Sequence, residues 1–252
     1  STPLYSSAAS DVYKRQTELS SLVDELKHQL AREAVDGLPR SWLDDPKPIE
    51  RPLLQSLTSA SLTYAQLRAE AEECRKCRLC ETRHKVVFGS GKLVRPLIAF
   101  VGEGPGADED LQGEPFVGKA GALLTSAITK GLSLGREEVY FCNVVKCRPP
   151  ENRTPLVDEV EACSPYLFQQ LELVAPQVIV TLGASAQLTL VGSRVAITNL
   201  RGKWLEWRGI PVMPTFDPAY ILTNPEAKRP FWEDLQAVMQ RVGLKSKGAG
   251  AQ

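Results

Sequence analysis

Four short apolar runs most restrict how this chain folds: "PLIAFVGE" (96–103), "VYFCNVV" (139–145), "QVIVTLG" (177–183) and "IPVMPTF" (210–216). Each is rich in β-branched or aromatic residues and lacks polar alternation, the pattern of strands buried on both faces. Helical patterns lie between and after them, over about 119–131, 155–174, 184–191 and 229–242. Thr154 followed by Pro155 predicts the entry of the second of these, a capping hydroxyl before a proline in the first turn. Strand–helix alternation predicts a parallel sheet with helices on both faces, an α/β fold. In such sheets the chemistry gathers in loops beyond the carboxyl ends of the strands. Here those loops begin "GEGPGADED", "NVVKCRPPENR", "GASAQ" and "FDPAYILTNP".

At 252 residues the chain is long enough for one sizeable core plus an appendage. Its 30 basic and 30 acidic residues balance, so net charge names no partner; a local basic patch suffices to bind nucleic acid. No apolar run approaches the roughly 18 residues of a membrane span. The front lacks the regions of a secretory signal, and a cytoplasmic protein is expected, where disulfides are rare. Residues 6–16, "SSAASDVYKRQ", match the conceptual translation of a sequencing adaptor, so residues 1–16 are set aside as an expected assembly artefact. Leu19, Leu22, Val23, Leu26 and Leu30 predict an amphipathic helix over 17–35. Pro39, Pro46, Pro48 and Pro52 then predict an extended linker to about residue 61. A helix over 62–73 opens the main domain, expected to run to residue 243, and 244–252 are an expected disordered tail.

The segment "ECRKCRLCETR" (73–83) holds three of the chain's six cysteines. Cys74 and Cys77 form a C-x-x-C. Cys147 follows the second apolar run, and Cys163 lies on the next helical pattern. Four thiolates from two chain regions suit zinc or an iron–sulfur cluster, and spacing alone does not choose between them. By spacing, Cys80 serves as well as Cys77. Cys142, inside a strand pattern, reads as a buried apolar thiol.

"GEGPGADED" is not G-x-G-x-x-G, because residue 107 is alanine and no helix is expected to open there in register. "GEPFVGKA" (113–120) nearly matches a phosphate-binding loop, but Ala120 replaces the magnesium-binding hydroxyl and no strand precedes Gly113. The two histidines, His28 and His84, both lie before residue 96, which argues against a Ser-His-Asp triad or a zinc deaminase. Of Glu103, Asp108, Glu109, Asp110 and Asp217, most read as a solvated acidic loop, and Glu103 stands out at a strand end.

Together, "CRKCRLCETR", "VVFGSG", "VGEGPGADEDLQGEPFVGKAGALL", "VYFCNVVKCRPPENRTPLVDEVEAC", "APQVIVTLGASA", "ITNLRGKW" and "PTFDPAYILTNP" resemble the family 4, iron–sulfur uracil-DNA glycosylases, from about Leu67 to Leu235. The resemblance implies a three-layer α/β/α sandwich around a four-stranded parallel sheet. It implies a DNA-repair glycosylase that flips deoxyuridine from DNA and hydrolyses its N-glycosidic bond. It implies a 4Fe–4S cluster on Cys74, Cys77, Cys147 and Cys163, zinc being the alternative. Phe116 matches the aromatic that stacks on uracil, and Asn143 the amide that reads its edge. Glu103 and Gly104 occupy the first motif, and Glu109 matches a second carboxylate; either acid orients water or stabilises the sugar cation. The expected partner is uracil-containing DNA, single- or double-stranded. The protein is expected to be a monomer beside a bacterial-type nucleoid, with no membrane contact.

The last motif departs from the family. Where the family has His-Pro-Ala-Tyr-Leu-Leu-Arg-Asn-Pro, residues 217–225 read Asp-Pro-Ala-Tyr-Ile-Leu-Thr-Asn-Pro. The family histidine donates to uracil O2. An ionised Asp217 repels the developing anion, while a protonated one donates. Thr223 replaces an arginine expected on phosphate. Leu222 keeps the wedge that fills the gap left by the base. Slower uracil excision is the leading expectation, with another deaminated base or a decayed DNA-binding module as alternatives.

Overall fold

Alternate residues of the apolar runs face opposite sides of one sheet. The computed structural model describes residues 63–244. The expected 17–35 helix, the proline-rich linker, residues 1–16 and the last eight residues fall outside them. Strand β2 (Ile98–Gly102) sends Ile98 and Phe100 into one core and Ala99 and Val101 into the other. Strands β3 (Tyr140–Asn143), β4 (Val178–Leu182) and β6 (Ile210–Thr215) divide their side chains in the same way. Every residue of β2, β3 and β4 is buried, as strands covered on both faces require.

Helices α1 (Tyr64–Glu72), α4 (Val157–Val174) and α5 (Ala184–Val191) cover the first face through Leu67, Leu167, Leu171 and Leu190. Helices α3 (Lys119–Ser126) and α8 (Lys228–Arg241) cover the second through Leu124, Phe231, Leu235 and Val238. The result is the expected α/β sandwich.

The sheet is wider than the four parallel strands expected. Its order is β1-β3-β2-β4-β6-β5. The central four are parallel. Two short antiparallel strands, β1 (Ser90–Gly91) against β3 and β5 (Leu205–Trp207) against β6, extend it to six. Strands of two and three residues are too short to show a periodicity in sequence.

Two helix entries also differ from expectation. A helix does open after the glycine loop: α2 (Ala107–Gln112) starts behind Gly106. Asp110 on it is not solvated but buried, and its carboxylate receives His84 at 2.6 Å and the His84 amide at 2.9 Å. Helix α4 begins at Val157, two residues beyond Pro155. Its N-cap is Leu156, which has no capping side chain; Glu159 in the first turn accepts from the Leu156 amide at 2.8 Å and pairs with Arg153 at 2.7 and 2.8 Å. A buried glutamate inside the helix, and not the Thr154 hydroxyl, therefore secures the entry.

Candidate functional site

The chain leaves β2 for β3 on one side and later returns to β4 on the other, so the connections diverge beyond the carboxyl ends of β2 and β4. Open α/β sheets bind ligands in the crevice at such a point. A cleft of about 420 Å³ lies here, lined by Glu103, Gly104, Glu109, Phe116, Asn143 and Asp217 among others. The catalytic and base-binding candidates of the sequence thus come from three separate strand ends, those of β2, β3 and β6, and meet in one cavity.

Asn143 ends β3 with only 2% of its surface exposed. None of the hydrogen bonds among the described residues uses its side-chain amide, which faces the cleft. A largely buried residue whose side-chain amide has no protein partner and opens only on a cleft marks a place for a polar ligand. Its main-chain oxygen accepts from Lys146 Nζ at 2.6 Å. The Phe116 ring lies beside it. A Cβ on Gly102 would come within 2.6 Å of Asn143 Oδ1 and 2.7 Å of Phe116 Cζ, so the absence of a side chain at 102 lets both groups into the cleft.

Glu103 and Asp217 are the cleft's two carboxyls with raised pKa values. Burial raises Glu103, the nearby Asp217 charge adds to it, and a hydrogen bond from Ser185 opposes both. Burial raises Asp217, opposed by the Ala219 amide, which donates to Asp217 Oδ1 at 2.7 Å. That bond makes Asp217 the N-cap of α7 (Pro218–Thr223). Glu109 is held differently: its Oε1 accepts from the amides of Val117 at 3.1 Å and Gly118 at 3.0 Å. Leu222 and Tyr220 are each 46% exposed on α7, and Tyr220 also reaches the cleft. Thr223 is exposed and donates to the Tyr220 carbonyl at 3.0 Å.

Cys74, Cys77, Cys80, Cys147 and Cys163 surround a second, small cavity with Arg83, Lys146 and Tyr166. Cys142 is absent from this ring and fully buried in the core. Arg83 Nη1 donates to Cys147 Sγ at 3.2 Å, and the Lys146 amide to Cys163 Sγ at 3.3 Å. Burial pushes the Cys163 thiol up to about 12 and raises Cys77 and Cys147. Such thiols ionise readily only beside a cation or a metal centre. N–H donors aimed at sulfur belong equally to thiolate-held centres. Among the described residues, no three cysteine, histidine or acidic side chains converge on a single-ion site.

Sequence reasoning missed Gly102, Ser185 and Lys146. Gly102 stood in the quoted first motif, directly before Glu103, and that position was the available signal. Ser185 and Lys146 lay in the quoted loops "GASAQ" and "NVVKCRPPENR", but nothing in those loops told either residue's partner. No helix among the described residues is long and apolar enough to cross a membrane.

Comparison with known proteins agrees with this geometry. Residues 88–236 match the model of the uracil DNA glycosylase superfamily. The chain is 47% identical over 169 residues to a type-4 uracil-DNA glycosylase of Thermotoga maritima, covering 66% of this chain and 87% of that one. It is 42% identical over 184 residues to the type-4 uracil-DNA glycosylase of Saccharolobus solfataricus, covering 70% and 85%. Against the Archaeoglobus fulgidus type-4 enzyme the identity is 41% over 184 residues, covering 70% and 92%.

Proposed function

Because the chain belongs to the uracil DNA glycosylase superfamily, we propose that it hydrolyses the N-glycosidic bond of deoxyuridine in DNA, releasing uracil and leaving an abasic site. One observation carries this reading: the unpartnered side-chain amide of the largely buried Asn143 opens beside the Phe116 ring on a cleft large enough for a single base. A base can reach them only after leaving the stack. Phe116 then packs on its face. The Asn143 amide accepts from uracil N3–H and donates to O4; cytosine presents the opposite pattern and leaves that amide unsatisfied.

Hydrolysis adds water oxygen to C1′. The C1′–N1 bond breaks and its electron pair departs with the base, so negative charge grows on the uracil carbonyls. Glu103, with its raised pKa, lies closer to neutrality than a solvent-exposed glutamate. It orients the water and takes its proton. Asp217 in its protonated form donates to O2 in place of the family histidine, and its own raised pKa favours that form. Glu109 serves the loop that carries Phe116, through its two amide bonds. Leu222, exposed on α7, enters the gap left by the flipped base.

Cys74, Cys77, Cys147 and Cys163 hold a 4Fe–4S cluster in this reading, with Cys80 at the same cavity as the one spare thiol. The cluster supplies a structural cross-link, binding the segment after α1 to the loop after β3 and to α4. The reading also takes the protein to act as a monomer on single- or double-stranded DNA.

The test is single-turnover incubation with an oligonucleotide holding one deoxyuridine, followed by alkali. Strand cleavage at that position and release of free uracil support the reading. An intact strand with the cluster present overturns it.

A further inference from the structure

The peptide between Phe116 and Val117 is gripped from both sides by side chains far apart in sequence. On one side, Arg136 Nη1 donates to the Phe116 carbonyl at 3.1 Å and to Thr125 Oγ1 at 3.1 Å. Its Nη2 donates to the Pro115 carbonyl. On the other side, Glu109 Oε1 accepts from the amides of Val117 and Gly118. Phe116 between them has φ +56°, the left-handed region that bulky L-residues avoid. A non-glycine residue stays there only when its surroundings over-determine it.

The grip continues into the helix and the ring below. A Cβ on Gly121 would lie 2.0 Å from the Phe116 carbonyl oxygen, so the first turn of α3 rests directly on this peptide. The Arg136 guanidinium lies 4.3 Å from the centroid of the Phe141 ring, and Phe141 lies 5.7 Å from the Phe116 ring. Arg136 itself does not line the cleft. Any influence it has on a bound base must pass through Phe116.

We infer that Arg136, working against Glu109, is a positioning residue that fixes the left-handed Phe116 peptide and so presents the ring to an extruded base. The inference rests on the function proposed above. Without Arg136, Phe116 relaxes towards a right-handed or extended backbone, and its ring leaves the wall shared with Asn143. Arginine suits the task because its planar fork serves two successive carbonyls at once, which a lysine ammonium cannot reproduce.

The experiment is a double-mutant cycle on the cluster-loaded full chain, read by single-turnover excision of uracil. Arg136→Lys is expected to slow excision by up to about tenfold, no more than loss of the ring itself, since the clamp acts only through the stacking of that ring on the base. In a Phe116→Ala background the same change is expected to cost nothing further, because the ring it positions is gone. Equal losses in both backgrounds overturn the inference, since a general structural defect does not depend on the ring. Trypsin provides a second readout at Lys119, the exposed first residue of α3. Arg136→Lys is expected to speed cleavage there, and unchanged cleavage with unchanged excision overturns the clamp. If the native protein releases no uracil, the function proposed above fails instead, and the cleavage rate at Lys119 alone decides the clamp.

Discussion

Lys146 and Asn143 are joined by a hydrogen bond of 2.6 Å, from a buried lysine amine to the main-chain oxygen of the residue proposed to read the base. The Lys146 amide in turn donates to Cys163 Sγ, and Cys147 is the next residue. Four residues therefore join the cysteine cavity to the floor of the cleft. Loss of the cluster proposed at the cysteines is expected to loosen the carboxyl end of β3 as well as the segment before it.

Replacing Cys147 or Cys163 by serine is expected to abolish iron and sulfide binding and to lower the unfolding temperature. Cys80→Ala is expected to keep both. Iron and sulfide analysis with a thermal melt reads the outcome. Equal metal content in all three variants contradicts the ligand set.

The acid pair gives a pH dependence with a definite sign. Burial raises the folded pKa of Asp217 and of Glu103. Neither costs stability below the ordinary carboxylate range, where both states are protonated. Stability then falls as pH rises from that range through the raised folded values. Excision that depends on a protonated Asp217 is expected to decline over the same window. Asp217→Asn keeps an N–H donor at every pH, so its rate profile is expected to lose that declining limb. A limb that survives in Asp217→Asn assigns the titration elsewhere.

Thr223 is exposed on the last turn of α7, near Leu222 and on the face from which DNA would approach. Thr223→Arg is expected to tighten DNA binding and to steepen the dependence of log K on log salt by about 0.9, the slope expected for one added phosphate contact. A fluorescence-anisotropy titration at several salt concentrations measures it. An unchanged slope removes residue 223 from the backbone contact.

Much of this fold was readable in the sequence because its central strands are buried on both faces and two of its helices, α4 and α8, run for 18 and 14 residues. Runs such as "QVIVTLG" leave no alternative face to expose, and the 18 residues of α4 repeat their period several times. The failures share a different cause. Helix α2 has six residues, four of them Asp, Glu or Gln, and so resembles a solvated loop. Asp110 is buried there because His84 lies against it, which residues 107–112 do not encode. Of the cleft residues at strand ends, Glu103 stood out by its position, while Gly104, Asn143 and Asp217 were named by the family resemblance; the strand order is what brings them together. Arg136 was invisible because it acts on a main-chain partner 20 residues away, with no local pattern to mark it, while Ser185 and Lys146 stood in quoted loops whose sequence does not tell their partners.

The central claim is that Asn143 and Phe116 together recognise an extruded uracil. The most direct measurement is single-turnover excision by the native protein beside Asn143→Ala and Phe116→Ala, each checked for an intact fold and cluster. The account predicts release of uracil by the native protein and a fall of about a hundredfold or more for Asn143→Ala, since a buried uracil edge then loses its partner. It predicts a smaller fall, about tenfold, for Phe116→Ala, whose stacking is worth about 1–3 kcal/mol. Undiminished rates in both variants would contradict it.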